Sequence, residues 1–341
     1  MPPVEHGGSL TRAEALFPHA PRPFVDLSTG INPHSYPLFD IPASALKRLP
    51  EPARIERLCE LAAGVYGAPN AANVAASPGT QILLPMIYSL VAPGRAAILG
   101  PTYQEHARAA AIAGHDVIET NNAAALADAD LAIVVNPNNP DGRIMPRTEL
   151  LSLATVLRKR GGLLVVDEAF MDVGPSEASL ARDVDPGAIV VLRSFGKFFG
   201  LAGVRLGFAL AQKRVVRRLS DFLGPWAVAG PALEYGLRAL ADVKWQEMMR
   251  QRLASDAARL DALFAQAGLV AAGDAPLFLY LRNDDAAQLH AALGKKGVIL
   301  RAFADRPNEL RCGLPADEQE WERLTSALET WAAAKRLEKS L

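Results

Sequence analysis

Ile189-Val190-Val191-Leu192 is a continuous apolar run, and Arg193-Ser194-Phe195-Gly196-Lys197 follows it directly. A short apolar run without alternation is the pattern of a strand buried on both faces of a parallel sheet. Leu131 to Val135 and Leu163 to Asp167 repeat it upstream. Between those two runs, Arg147 to Arg160 has helical period and is closed by Gly161-Gly162. Farther towards the N-terminus, Arg54 to Tyr66, Thr80 to Val91 and Gln104 to Ala113 read as helices, and Asn73 to Ser77, Ala96 to Leu99 and Asp116 to Glu119 as strands. Alternating strands and helices predict an α/β fold with right-handed crossovers around a mostly parallel sheet.

After Gly230 the helices lengthen, to Pro231 to Ala241 and Trp245 to Gly268. Short strands follow near Phe278 to Leu281, Val298 to Arg301 and Glu309 to Arg311, then a last helix from Asp317 to Leu337. This half reads as a smaller α+β domain. Residues 1–44 are rich in proline and turn formers and read as an extended arm. The expected organisation is an N-terminal arm over 1–44 that joins the small domain, a large domain over 45–230, and a small C-terminal domain over 231–341.

The bulk composition narrows the function classes. With 36 Lys and Arg against 37 Asp and Glu, the net charge is −1. No global field therefore favours nucleic acid or an anionic membrane, and an anionic ligand must be held by local groups. Cys59 and Cys312 are too few and too far apart in sequence for a disulfide framework or a CxxC metal site, so no metal is expected and a reducing cytoplasm is the natural setting. Met1 to Leu10 lacks the apolar stretch of a signal peptide, and no run is long enough to span a bilayer.

Lys197 falls at the carboxyl end of a sheet strand, the edge where open α/β sheets bind ligands. Its amine can condense with an aldehyde, and Ser194 and Arg205 can grip a phosphate beside it. Asp167, in Val165-Val166-Asp167-Glu168-Ala169-Phe170, ends another strand and can pair with a protonated pyridine nitrogen. Asn136-Pro137-Asn138-Asn139-Pro140-Asp141-Gly142 is a tight turn after a third strand, and it leaves Asn139 to bond a ligand oxygen. Ser77-Pro78-Gly79-Thr80-Gln81 leads into a helix whose N–H groups suit a phosphate. Tyr103, in Pro101-Thr102-Tyr103, can stack on a flat heterocycle. Taken singly, each has an ordinary reading: a surface lysine, a helix-capping aspartate, a turn, a partly buried tyrosine.

Together, in this order and at strand ends, these motifs resemble those of the fold-type I pyridoxal-phosphate (PLP) enzymes, the aspartate-aminotransferase superfamily. The resemblance runs from about Asp26 to Gly313. It implies a seven-stranded sheet and roles for individual residues. Lys197 would carry the cofactor, Asp167 would pair with its ring nitrogen, Asn139 would bond its phenolic oxygen, and Tyr103 would stack on it. Gly79, Thr80, Gln81, Ser194 and Arg205 would hold its phosphate. Arg311, in Leu310-Arg311-Cys312-Gly313, would clamp the substrate α-carboxylate. A homodimer is also implied. One departure stands out: Phe170 occupies the position where aminotransferases carry a tyrosine that bonds the phenolic oxygen.

The arm narrows the reaction. Glu5-His6-Gly7-Gly8 and Asp26-Leu27-Ser28-Thr29-Gly30-Ile31-Asn32-Pro33 resemble the start of the threonine-phosphate decarboxylases of cobalamin biosynthesis. That family converts L-threonine O-3-phosphate to (R)-1-aminopropan-2-ol O-phosphate and CO₂. Such a substrate needs a second anion site, for which His6 and Asn32 are the candidates. A histidinol-phosphate-type aminotransferase is the alternative. A PLP-binding sensor is disfavoured, because the chain has no room for a DNA-binding module.

Overall fold

The computed structural model describes residues 6–273 and 275–340, so Glu5 of the arm motif lies outside the described residues. In chain order the elements are α1 (Leu10–Leu16), β1 (Val25–Asp26), α2 (Ser44–Lys47), α3 (Pro52–Tyr66), β2 (Val74–Ser77), α4 (Leu83–Tyr88), β3 (Arg95–Leu99), α5 (Glu105–Ile112), β4 (Asp116–Thr120), β5 (Leu131–Val135), α6 (Arg147–Lys159) and β6 (Leu163–Asp167). There follow β7 (Ile189–Ser194), α7 (Phe195–Phe198), β8 (Gly207–Ala211), α8 (Lys213–Leu223), α9 (Gly230–Ala241), α10 (Val243–Gln266), β9 (Phe278–Arg282), α11 (Ala286–Lys295), β10 (Val298–Ile299), β11 (Arg301–Phe303), β12 (Arg306–Gly313) and α12 (Glu318–Ser340).

The chain forms two compact units. The first spans Ser35 to Glu247 and holds a seven-stranded sheet in the order β2-β8-β7-β6-β5-β3-β4. All neighbours are parallel except β8, which is antiparallel to both β2 and β7. Ile98, Ile133, Val165 and Val190 are fully buried, as strands covered on both faces require. The register sets Val135 beside Asp167 and Asp167 beside Leu192, so the polar residues that follow these strands emerge at one edge.

Several expectations need correction. The helix read over Thr80 to Val91 is only Leu83–Tyr88. Pro85 lacks an N–H, and a start at Leu83 places it in the first turn, where that group would be unbonded anyway. Strand β8 and helix α8 were not anticipated, since Gly-Phe-Ala-Leu-Ala lacks the β-branched residues that mark a strand. The first 44 residues are not simply extended. They contain α1, and β1 pairs in parallel with β10. Val298 to Arg301 is split between β10 and β11, which have different partners. The unit boundaries fall at 34/35 and 247/248 rather than at 44/45 and 230/231. Helix α9 belongs to the first unit because it packs on α3 so closely that a Cβ on Gly236 would come within 2.7 Å of Leu58.

The second unit joins the segment up to His34 with Met248 onward. Its sheet is β11-β12-β9, antiparallel throughout. The arm is tied in by a hydrogen bond from Gly313 N–H to the Leu27 carbonyl (2.7 Å) and by the His34 to Asp256 contact (2.7 Å). Among the described residues no helix is long and apolar enough to cross a membrane.

A buried ionic cluster locks the ends of β6 and β7. Arg193 lies 3.1 Å from Glu168 and 3.2 Å from Asp172, with its guanidinium 4.4 Å from the Tyr66 ring centre. Glu168 also accepts bonds from the Ser179 hydroxyl (2.6 Å) and the Leu180 N–H (2.8 Å). Burial pushes the Glu168 carboxyl up, opposed by the Arg193 charge and these donors. Removing one partner of a buried pair strands the other. Glu168→Ala should therefore destabilise the chain by about 3 kcal/mol or more, read as a lower urea midpoint in equilibrium unfolding.

Candidate active site

The carboxyl ends of β5, β6 and β7 open on a cavity of about 170 Å³. Asp167, Asn139, Ser194 and Lys197 line it from those strand ends. Gly79, Thr80, Gln81 and Arg205 line a second side, and Tyr103 and Phe170 complete it. The nine residues expected to bind the cofactor thus share one cavity in the first unit.

Local structure explains their placement. Asn136 and Asn138 are consumed in building the turn after β5. The Asn136 side chain bonds the Met145 backbone in both directions (2.8 and 3.1 Å). Asn138 accepts from Thr102 (2.6 Å) and donates to Asp141 (2.7 Å). Of the three asparagines in this turn, Asn139 is the one that lines the cavity. Gln81 is oriented from both ends: its amide donates to Glu105 (2.8 Å), and its carbonyl accepts from the Tyr103 hydroxyl (3.2 Å). Burial, followed by the charges of Glu105 and Asp167, pushes the Tyr103 phenol up to about 12, so it stays neutral and donates.

The phosphate-binding side is built on two close approaches. Arg205 adopts a left-handed backbone (φ 56°), which costs a non-glycine residue on the order of 1 kcal/mol, and its guanidinium donates to the Ala202 carbonyl (3.0 Å). Gly79 has φ 84°, and a Cβ there would lie 2.7 Å from the Arg205 guanidinium. Behind the turn, a Cβ on Gly207 would come within 2.6 Å of the Thr80 nitrogen. The turn from Gly79 to Gln81 therefore lies flat against β8 with the Arg205 fork across it, an arrangement suited to phosphate oxygens.

Asp167 is 7% exposed. One carboxylate oxygen accepts from the Ala169 N–H (3.0 Å), and the other lies 3.0 Å from Nε2 of fully buried His106. His106 was not singled out from the sequence. The only signal was a histidine three residues beyond Tyr103 in an alanine-rich helix, which is also how an ordinary core histidine looks. Lys197 Nζ lies 5.8 Å from the centre of the Phe170 ring, so the residue facing the lysine brings no hydroxyl.

Three expected residues lie elsewhere, in the second unit. Arg311 is buried on β12 and donates to the Ser28 carbonyl (3.1 Å). Burial and then the like charge of Arg301 push its guanidinium down to about 10, and an anionic ligand would counter both effects. His6 lines a small cavity with Arg12, His290 and Arg301. Ser28 lines it too, and the Ser28 hydroxyl accepts from the Gly8 N–H (2.7 Å). The basic cavity and Arg311 therefore meet at Ser28. Arg12 and Arg301 were missed from the sequence because neither lies in a recognisable motif. Asn32 does not line that cavity. It is buried, and its side-chain oxygen accepts from the His34 N–H (2.8 Å).

The first unit's cavity combines a lysine amine, a carboxylate at depth, a flat aromatic wall and an anion cradle. PLP fits this donor set group for group: aldehyde, pyridine nitrogen, ring face and phosphate. The fold and cavity together are those of a fold-type I PLP-dependent enzyme. The chain belongs to the aminotransferase class I and II family, whose model matches residues 43–328. It is 42% identical over 328 residues to a threonine-phosphate decarboxylase of Pseudomonas aeruginosa, covering 95% of this chain and 97% of that one. It is 29% identical to a histidinol-phosphate aminotransferase of Aeromonas salmonicida, covering 83% of this chain and 84% of that one. Among solved structures, the histidinol-phosphate aminotransferase of Sinorhizobium meliloti in complex with pyridoxal-5'-phosphate superposes with a TM-score of 0.80 at 20% identity, covering 98% of this chain and 96% of that one. The L-threonine-O-3-phosphate decarboxylase of Porphyromonas gingivalis superposes at 0.73 and 22% identity, covering 89% and 98%.

Two substitutions probe the cavity by absorbance. Lys197→Ala should abolish the visible band of the PLP-loaded protein while leaving its fold, followed by circular dichroism, intact. Phe170→Tyr should lower the pH at which that band titrates, because a phenol donating to the ring oxygen stabilises its anion. An unchanged titration would show that the new hydroxyl does not reach the ring.

Proposed function

We propose that the chain decarboxylates L-threonine O-3-phosphate to (R)-1-aminopropan-2-ol O-phosphate and CO₂, as a step of cobalamin biosynthesis. The cofactor is PLP. The observation that carries this reading is the pair of cationic groups meeting at Ser28: Arg311 on one side, and the cavity of His6, Arg12 and Arg301 on the other. A substrate with both a carboxylate and a phosphate matches two such groups, and the near-full-length likeness to threonine-phosphate decarboxylases supports the same substrate.

Bound PLP supplies the electron sink that takes up the pair left when the bond from the α-carbon to the carboxylate breaks. The chain's residues do the rest. Asp167, held by His106 and the Ala169 N–H, would face the ring nitrogen of the cofactor with its carboxyl group. Asn139 bonds the ring oxygen, and Tyr103 covers the ring face. Gly79, Thr80, Gln81, Ser194 and Arg205 hold the cofactor phosphate. Arg311 orients the substrate carboxylate, and His6 with Arg12 and Arg301 takes the substrate phosphate. Asn32 shapes the arm behind them through its bond to His34. Lys197, in its ammonium form, would be the acid that delivers a proton to the α-carbon after CO₂ leaves, and would itself become the neutral amine. Phe170 withholds the hydroxyl that an aminotransferase presents at this position.

The assay is direct. The protein incubated with PLP and threonine phosphate should release CO₂ and aminopropanol phosphate. Transfer of an amino group from histidinol phosphate to 2-oxoglutarate, without CO₂ release, would replace this reading with an aminotransferase. Arg301→Ala should raise KM for threonine phosphate about tenfold or more, the loss of a charge-assisted hydrogen bond, with the visible band unchanged.

We further propose a homodimer in the cytoplasm. Leu38, Leu46, Leu49 and Trp226, all in the first unit, are 74%, 73%, 61% and 55% exposed, large apolar side chains of the kind a dimer interface would cover. Both cysteines are free and buried, as a reducing compartment permits. Light scattering should give twice the 36.4 kDa chain mass, and Leu46→Glu should shift it towards the monomer.

A further inference from the structure

The contact beneath Asp167 continues one residue deeper. The Tyr88 hydroxyl, at the end of α4, lies 2.5 Å from His106 Nδ1. Tyr88 and His106 are both 0% exposed, so no bulk water competes for either group. The Tyr88 backbone is fixed as well. His115 Nδ1 accepts from the Gly94 N–H (3.2 Å), which leaves Nε2 of the same ring to donate to the Tyr88 carbonyl (2.9 Å).

This chain of contacts runs in one direction. Burial, followed by the nearby Asp167 charge, pushes the Tyr88 phenol well above its ordinary value, so it keeps its proton. Among the described residues, His106 Nδ1 is the one partner recorded for that hydroxyl. A buried O–H left without an acceptor costs about 1–3 kcal/mol, so the proton points at Nδ1. Nδ1 is then the acceptor, and the imidazole proton must sit on Nε2, facing Asp167 at 3.0 Å. The opposite tautomer would strand the phenol proton and set an Nε2 lone pair against a carboxylate oxygen.

We propose that Tyr88 is a positioning residue for the cofactor site: its hydroxyl locks His106 in the Nε2–H tautomer and thereby fixes the carboxylate of Asp167 in the orientation that meets the PLP ring nitrogen. Tyr88 touches neither cofactor nor substrate and acts through His106. The role rests on PLP lying over Asp167 but not on which amino acid is the substrate.

The test reads the tautomer itself. In the cofactor-free protein labelled with ¹⁵N-histidine, and with His106 assigned by comparison with His106→Gln, long-range ¹H–¹⁵N spectra should show Nδ1 as pyridine-type and Nε2 as pyrrole-type. Tyr88→Phe, which removes the hydrogen-bond donor to Nδ1, should shift the Nδ1 resonance and, after PLP is added, the visible absorption maximum. A wild-type spectrum with the proton on Nδ1 overturns the proposal without any variant. So does a Tyr88→Phe protein that melts lower but keeps the wild-type His106 signals, since that is the signature of packing alone. Neither readout requires turnover, so failure of the decarboxylase assay leaves this test standing.

Discussion

Asp167 is a carboxylate held almost out of water, and a charge in that position persists only if its surroundings satisfy it. Much of the first unit's local structure serves that requirement. Strand β6 brings Asp167 to the sheet edge in register with β5 and β7. Helix α5 brings His106 against one oxygen, and the turn after β6 brings the Ala169 N–H to the other. Helix α4 brings Tyr88 behind the histidine. The next residue, Glu168, continues the ladder by bonding the Leu192 carbonyl, and strand alternation turns its side chain the other way, into Arg193. Two adjacent acidic residues thus have separate tasks, one towards the cavity and one towards the buried cluster that ties β6 to β7.

The second unit solves a different electrostatic problem. Along β12, alternation separates Arg311 from Leu310 and Cys312 on the opposite face, and Cys312 is wholly buried. The arm closes over the same region through Gly7, Gly8 and Ser28, and a Cβ on Gly7 would come within 2.3 Å of the Ser28 carbonyl. Arg12, Arg301 and Arg311 share this unit: burial and then Arg301 push Arg311 down, and burial and then Arg12 push His290 down.

The cavity's polar residues were legible in the sequence because each follows a continuous apolar run, and such runs end at one edge of a parallel sheet. Lys197, Asp167, Asn139 and Tyr103 are all found this way. Arg205 and the Gly79 turn were legible through residue type and spacing. His106 and Tyr88 were not, because a buried histidine and a buried tyrosine inside helices look like core packing until the contact between them is seen. Arg12 and Arg301 were not, because their sequence neighbours carry no pattern and only the fold of the arm brings them together. Asn32 was assigned to the ligand on its turn motif, yet it lines neither the cofactor cavity nor the basic one.

What the sequence determined by itself is the α/β order, the sheet edge that carries chemistry, and the residue types a phosphate-bearing aldehyde cofactor requires. These follow from local periodicity and from strand ends, which are properties of short segments. Tertiary structure decided the rest. The antiparallel insertion of β8 depends on pairing with β2 and β7 rather than on its own weak strand propensity. The placement of α9 depends on a contact with α3. The orientation of Asp167 depends on its contact with His106, whose own partner is Tyr88, and both are remote from it in sequence. Each of these is fixed by an interaction between segments, whose energy no single segment contains.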